Sequence, residues 1–467
     1  MPRPFLVRYA GLAGTLLLAV AAWRGGATNP WEPTVTPRTI FAGRDGLLLP
    51  LAWLFGTLLL IGAWWAGRRV VPSLRWAYVT AGLWALPLLP FLPLGSYDVY
   101  SYACQGWQQA AGLDPYAGGV DLLGCPWADA VAPTWRDAPA PYGPVFLVLA
   151  AAAAKLGGSL TGAVAGLRLI AVLGVAVIGW CLPVLARRAG VPPARAVWLV
   201  LACPLVPIHL ISGAHNEAVM IALILAGLTV AAGGDSVRGM LLAGALLGLA
   251  VGVKATAAVV LPFAVLMFPA RWWRAGAVVA GGAAAALAAV SFGSGLGLGW
   301  VTGLAGSGAS VQWTAPPTAA GLTLELLGVP HAVPVTRVVG LVVLVPVLVV
   351  LWLRARRGDP LHHAGLALAA TVLLAPVFHP WYALWPLAVL AATVRRETLW
   401  LVAPCAVVSA LCLPDGYNLA LVTRAQGAVV MTVLAGYLAW KVLHEAFRDS
   451  RRPRRDHGGD HLSRREA

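Results

Sequence analysis

The chain has 467 residues, 60% of them hydrophobic and only 11% charged, and its mean hydropathy is +0.79. Soluble domains carry about a quarter charged residues, so this chain cannot clothe itself in polar surface, and a soluble enzyme is excluded. The net charge of +15 needs no nucleic-acid partner, because Lys and Arg collect at the cytoplasmic ends of membrane helices.

Continuous apolar runs recur along the chain, and they do not alternate as the strands of a membrane β-barrel would. In hydrocarbon every backbone N–H and C=O must be satisfied within its own segment, which leaves α-helices. At about 20 residues per crossing, spans are expected near 5–23, 46–66, 76–93, 163–186, 196–212, 217–233, 239–254, 255–269, 275–292, 335–353, 361–378, 381–394, 398–413 and 424–443. The first of these has no convincing small-residue cleavage site behind it and is read as a span rather than a signal peptide. The fold class is therefore an all-α polytopic membrane protein with about fourteen transmembrane helices.

Arg68, Arg69 and Arg75 share one connection, and Arg187, Arg188 and Arg195 another. Further basic groups fall at Arg271 and Arg274, at Arg354, Arg356 and Arg357, and at Arg395 and Arg396. All lie on one side if both termini are cytoplasmic, which fixes the orientation. Residues 143–157 are apolar enough to cross, but a crossing there would invert every later loop against its charges. They are read as an interfacial or re-entrant helix. The first external loop then runs over 94–162, long enough to suggest function, and a second covers 293–334. The basic stretch 444–467 reads as a disordered cytoplasmic tail attracted to anionic headgroups.

Chemistry is expected on the external face. Asp98, in GSYDVYSY, sits just past the third span. It either caps a helix starting near Val99 or presents a carboxylate at the membrane surface. Asp114, in LDPY, reads as a turn residue. Trp107, Trp127 and Trp135, with several Tyr, suit a surface that stacks on sugar rings. His215, Asn216 and Glu217 form a polar cluster between two spans, where polar groups are costly and usually face a cavity or a partner. Lys254 can pair with Glu217 or hold a lipid-linked phosphate. His379 stands beside Trp381 and Tyr382, and Trp313 is placed to roof the cavity. Cys104 and Cys125 share the first loop, where a disulfide and two free thiols are both open. No HExxH or Walker A spacing occurs, so no metal ligands are named and a nucleotide-dependent enzyme is not expected, while metal dependence stays open.

The motifs GSYDVYSYACQGW, GLDPYAGG, PAPYGPVFL, SGAHNEAVM, SVQWTAPPTA and FHPWYALW, in this order, resemble the actinobacterial polyprenol-phosphomannose-dependent α-1,6-mannosyltransferases. The similarity runs through roughly residues 40–430. It implies the GT-C glycosyltransferase fold, a polyprenyl-phosphate mannose donor with no separate cofactor, and a lipid-linked mannan acceptor extended on the outer face of the plasma membrane. Carried over by motif, Asp98 is the expected catalytic base. His215, Asn216 and Glu217 fall on the His-Asn-acid motif, in which the third position is more often Asp, so Glu217 lengthens the arm. Tyr142 lies in the PYGP motif. With Tyr97, Tyr100, Tyr116, Lys254, Trp313, His379, Trp381 and Tyr382, these complete the expected substrate-binding set. An α-1,2-mannosyl- or arabinofuranosyltransferase is the nearest alternative. A transporter of lipid-linked sugars is the alternative of a different class; it would place ionisable residues near the bilayer midplane, whereas here they favour one face, with Arg168 the main exception.

Overall fold

The structure is a computed structural model that describes residues 3–32, 39, 46–304, 310–396 and 398–450. Among these, every regular element is helical, and the only ladder contact is an isolated antiparallel bridge between Cys412 and Asn418. Five helices are long and apolar enough by themselves to cross a membrane: Pro4–Gly25, Leu48–Gly67, Leu160–Arg188, Trp272–Gly293 and Ala332–Ala355.

Apart from the terminal helix, the other expected spans are helical but shorter or broken, and proline explains the breaks, since it removes a backbone donor and clashes with the preceding turn. The expected span 196–212 is two helices, Pro193–Leu201 and a π-helical turn Val206–Ser212, bent by 65° around Pro204 and Pro207. Counting that pair as one crossing brings the total by length to six. The span expected at 76–93 ends as an α-helix at Ala85, ahead of Pro87, Pro90 and Pro93. Helix Leu261–Val265 starts beside Pro262, and helix Leu384–Leu390 contains Pro386. The terminal helix Arg424–Ser450 runs into the stretch expected to be tail; residues 451–467 lie outside the described residues.

Small residues let these helices approach closely, the usual device where lipid supplies no hydrophobic drive. A side chain on Gly244 or Gly248 would collide with the carbonyls of Val279 and Ala283. On the outside, Val335, Val338, Val342 and Val345 of the Ala332–Ala355 helix stay exposed, as a lipid-facing stripe requires.

The long first loop is itself largely helical. Asp98–Ala110 is its first helix, and Pro144–Gly157 packs against it, with Gly106 seated on the Ala150 carbonyl. At 14 residues the second helix spans about 21 Å, comparable with the other short apolar helices such as Glu217–Ala231 and Pro360–Leu374. Cys104 and Cys125 form a disulfide with Cα atoms 5.5 Å apart, tying the Asp98 helix to the chain that carries Trp127 and Trp135. The second loop contains a helix as well, Pro316–Leu326.

Candidate active site

Asp98 is the first residue of its helix, and the preceding Tyr97 makes no side-chain cap. The carboxylate does not cap the helix either. Its Oδ1 accepts the indole N–H of Trp135 at 3.2 Å, while its backbone N–H donates to Ser96 Oγ at 3.0 Å. It faces a cavity of about 270 Å³ that is also lined by Trp31, Tyr97, Trp135, His379 and Trp381. Desolvation pushes the Asp98 carboxyl up to about 6, with the negative charge of Glu217 adding to the effect; the Ser96 hydroxyl, Lys254 and Trp135 oppose it. A carboxylate poised near neutral pH is both ionised and appreciably basic.

Behind this wall sits a second layer. His215, Asn216 and Glu217 are fully buried and do not line the cavity. The chain reaches them through Ala214, a non-glycine residue at φ +50°, a conformation that costs free energy and turns His215 toward Asp98. His215 Nδ1 lies 3.9 Å from Asp98 Oδ2 and 3.7 Å from Glu217 Oε2, and 3.3 Å from the Tyr102 hydroxyl. Burial holds the His215 imidazole well below its usual range, and nearby His209, Lys254 and His379 push the same way, so the ring is neutral. Lys254 Nζ donates to Glu217 Oε1 and lies 4.5 Å from the Tyr382 ring and 5.3 Å from that of Trp385. Trp381 joins the two layers, stacking on His379 at 4.8 Å and on His215 at 4.0 Å between ring centroids. Desolvation lowers His379 to about 3, helped by Lys254; it too is neutral, with ring nitrogens able to donate or accept a hydrogen bond but carrying no charge.

The structure therefore brings together Asp98, Tyr97, His215, Asn216, Glu217, Lys254, His379, Trp381 and Tyr382, with Tyr142 at the edge, where its ring lies 6.0 Å from Lys254 Nζ. It does not bring three others. Tyr100 donates to the Ala27 carbonyl and lines a different cavity. Tyr116 donates to the Tyr142 carbonyl and packs with Ala140, Leu147 and Leu296. Trp313, instead of roofing the cavity, donates to Thr423 and packs beside Leu322, Val333 and Ala428.

Several cavity residues carried no usable sequence signal. Gln312 accepts from Asn418 Nδ2 at 2.9 Å, and both line the cavity with Asp415. The Asp415 carboxylate accepts the N–H of Tyr417 in a tight turn. Gly416, at φ +91°, lies directly against Ser96, where a side chain would not fit. This turn closes the cavity beside Asp98.

A helical scaffold with several apolar, membrane-length helices and an open cleft lined by Asp98 and aromatic rings defines the class: a membrane protein with a polar site set among its helices. Residues 8–271 match the model of the α-(1→6)-mannopyranosyltransferase family, N-terminal domain, and residues 314–445 match the MptB C-terminal domain. The chain is 34% identical over 441 residues to α-(1→6)-mannopyranosyltransferase A of Mycobacterium tuberculosis, covering 87% of this chain and 84% of the relative. It is 32% identical over 442 residues to α-(1→6)-mannopyranosyltransferase B of Corynebacterium glutamicum, covering 84% and 73%. No solved structure matches it significantly. The chain belongs to the α-(1→6)-mannopyranosyltransferase family and is a glycosyltransferase.

Proposed function

We propose that the protein transfers mannose from polyprenyl-phosphate mannose to a lipid-linked mannan acceptor, forming an α-1,6 linkage with inversion on the external face of the plasma membrane. The scaffold on this reading is a GT-C fold of about fourteen spans with both termini cytoplasmic. The observation that carries the chemistry is the Asp98 carboxylate, which faces the 270 Å³ cavity while Lys254 is taken up by Glu217. Family membership supplies the sugar and the linkage, since the relatives are named for them.

The reaction runs in one displacement. Asp98 takes the proton of the acceptor hydroxyl as its oxygen attacks the anomeric carbon; the bond from that carbon to the phosphate oxygen breaks, and polyprenyl phosphate leaves with the electron pair. A β-linked donor thereby gives an α-linked product. General-base help of this kind is worth about 10²–10⁴-fold. The leaving phosphate is already a stable anion and asks only for hydrogen-bond donors and positive potential. His379 at the cavity wall can donate, and Lys254, paired with Glu217 in the layer behind it, supplies positive potential. Trp31, Trp135 and Trp381 offer flat faces to the sugar rings. The cavity falls just below the range of about 300–1,000 Å³ usual for whole small-ligand sites, which suits sugar rings whose lipid chains stay in the bilayer.

The test uses purified protein in lipid vesicles with radiolabelled polyprenyl-phosphate mannose and a short α-1,6-mannoside. The expected product is one mannose longer, α-linked and attached at position 6. A different linkage would move the acceptor assignment to a sister activity, and passage of intact donor across the membrane without transfer would contradict the reading outright.

A further inference from the structure

Arg168 is a buried cation without an acidic partner. It lies in the Leu160–Arg188 helix, is 9% exposed, and among the described residues no carboxylate reaches it. Its guanidinium instead holds three backbone carbonyls. Nη1 donates to Leu89 O at 2.7 Å and Nη2 to Phe91 O at 2.7 Å; Nε and Nη2 both donate to Ser212 O, at 3.1 and 3.0 Å. These carbonyls belong to two separate segments. Leu89 and Phe91 lead into Gly95, Ser96 and Asp98, and Ser212 leads into His215, Asn216 and Glu217. A second bond joins the same segments, from the Leu94 N–H to Ser212 Oγ at 3.0 Å. From there Ser96 Oγ takes the N–H of Asp98.

We propose that Arg168 is a positioning residue that clamps the Asp98 segment to the His215–Glu217 segment, and so sets the approach of Asp98 to the imidazole at 3.9 Å. The inference rests on the functional reading above only in taking Asp98 as the reacting carboxylate. Ser212 closes the π-helical turn Val206–Ser212, and Leu89 and Phe91 lie in proline-broken backbone just past a helical turn, so their carbonyls lack intrahelical donors and must find partners elsewhere. A planar guanidinium presents its five N–H groups from three separate nitrogens in a rigid fork and so spans carbonyls that a lysine ammonium would have to reach from one nitrogen at the end of a flexible stem. The cost of burying the charge is repaid in geometry: two loops that share no helix are held in one register.

The test compares wild type with Arg168→Gln, Arg168→Lys and Ser212→Ala in vesicles, by steady-state transfer and by hydrogen–deuterium exchange. Arg168→Gln is expected to lower kcat by about 10²-fold, the loss that a displacement of about 1 Å at a reacting group produces, with KM for the lipid donor nearly unchanged. Arg168→Lys should fall between Gln and wild type. Ser212→Ala, which removes a single bond and spares the fold, should lose severalfold in kcat. Exchange should rise in peptides covering 89–98 and 209–217 and stay unchanged over 237–253. A rise in KM with kcat preserved would overturn the proposal by making Arg168 a substrate contact. Full activity in Arg168→Lys would overturn it by showing that charge alone suffices, and faster exchange throughout the molecule would overturn it by showing a general loss of stability. If the wild type itself transfers no mannose, the functional reading fails while the exchange pattern still decides the clamp.

Discussion

Asp98 and Glu217 begin from the same position and end in opposite states. Each is the first residue of its helix, each lies within 4.0 Å of the same His215 nitrogen, and neither caps its helix. Glu217 is sealed from solvent and held by Lys254 under the rings of Tyr382 and Trp385. Asp98 opens onto the cavity, where its carboxylate is met by the indole N–H of Trp135 and the Ser96 hydroxyl and by no paired cation among the described residues. A paired carboxylate is spent on holding its partner, whereas one desolvated without a cation becomes a stronger base. On the proposed reading, the difference gives Glu217 a supporting role and Asp98 the chemistry.

The comparison breaks first at activity. Asp98→Asn should lower kcat by about 10²–10⁴-fold, the range for loss of a general base, while the protein continues to fold. Next in size, Glu217→Gln should act mainly on stability. It leaves the Lys254 ammonium buried without its counterion, a loss of about 3–5 kcal/mol, read as a lower yield of folded protein and a lower Tm.

Stability should then move the other way for Asp98. Its carboxyl is raised above the ordinary value of 3.8 to about 6, so the folded state holds its proton more tightly than the unfolded chain does. Native stability therefore falls as pH rises between about 4 and 6. Asp98→Asn removes that penalty and should stabilise the protein at pH 7 by up to about 3 kcal/mol. Were Asp98 only a helix cap, the same substitution would leave stability unchanged or lower it. The smallest effect belongs to Trp135→Phe. It deletes a donor to the ionised carboxylate, so the pKa of Asp98 rises and the acid limb of the rate profile moves upward by about one pH unit, the worth of one hydrogen bond to a charged group.

Much of this was legible in the sequence because two signals are local. Apolar runs of membrane length announce helices, and polar groups set at the ends of such runs, as in SGAHNEAVM and FHPWYALW, announce a shared polar cluster. Other features depend on geometry that residue type does not carry. Tyr100 was expected at the site, but two residues along a helix turns a side chain by about 200°, so it faces away from Asp98 into a separate cavity. Trp313 and Gln312 are neighbours in one loop, yet the glutamine lines the cavity and the indole packs outside. Asp415 and Asn418 stand in a short turn that reads only as a connection; it lies against Ser96 because Gly416 admits that backbone. The helix count was blurred by proline, which divides an apolar run without changing its hydropathy. Arg168 was visible as an exception, but the three carbonyls it holds belong to segments far apart in the chain.

The most direct test of the account is the pH dependence of single-turnover mannosyl transfer in vesicles, comparing wild type with Asp98→Asn. The wild-type rate should fall on the acid side of about pH 6 with the loss of one ionised group, and the variant should be slow and lack that limb. A variant that keeps the wild-type rate, or that is slow yet retains the same acid limb, would remove Asp98 from the role of base.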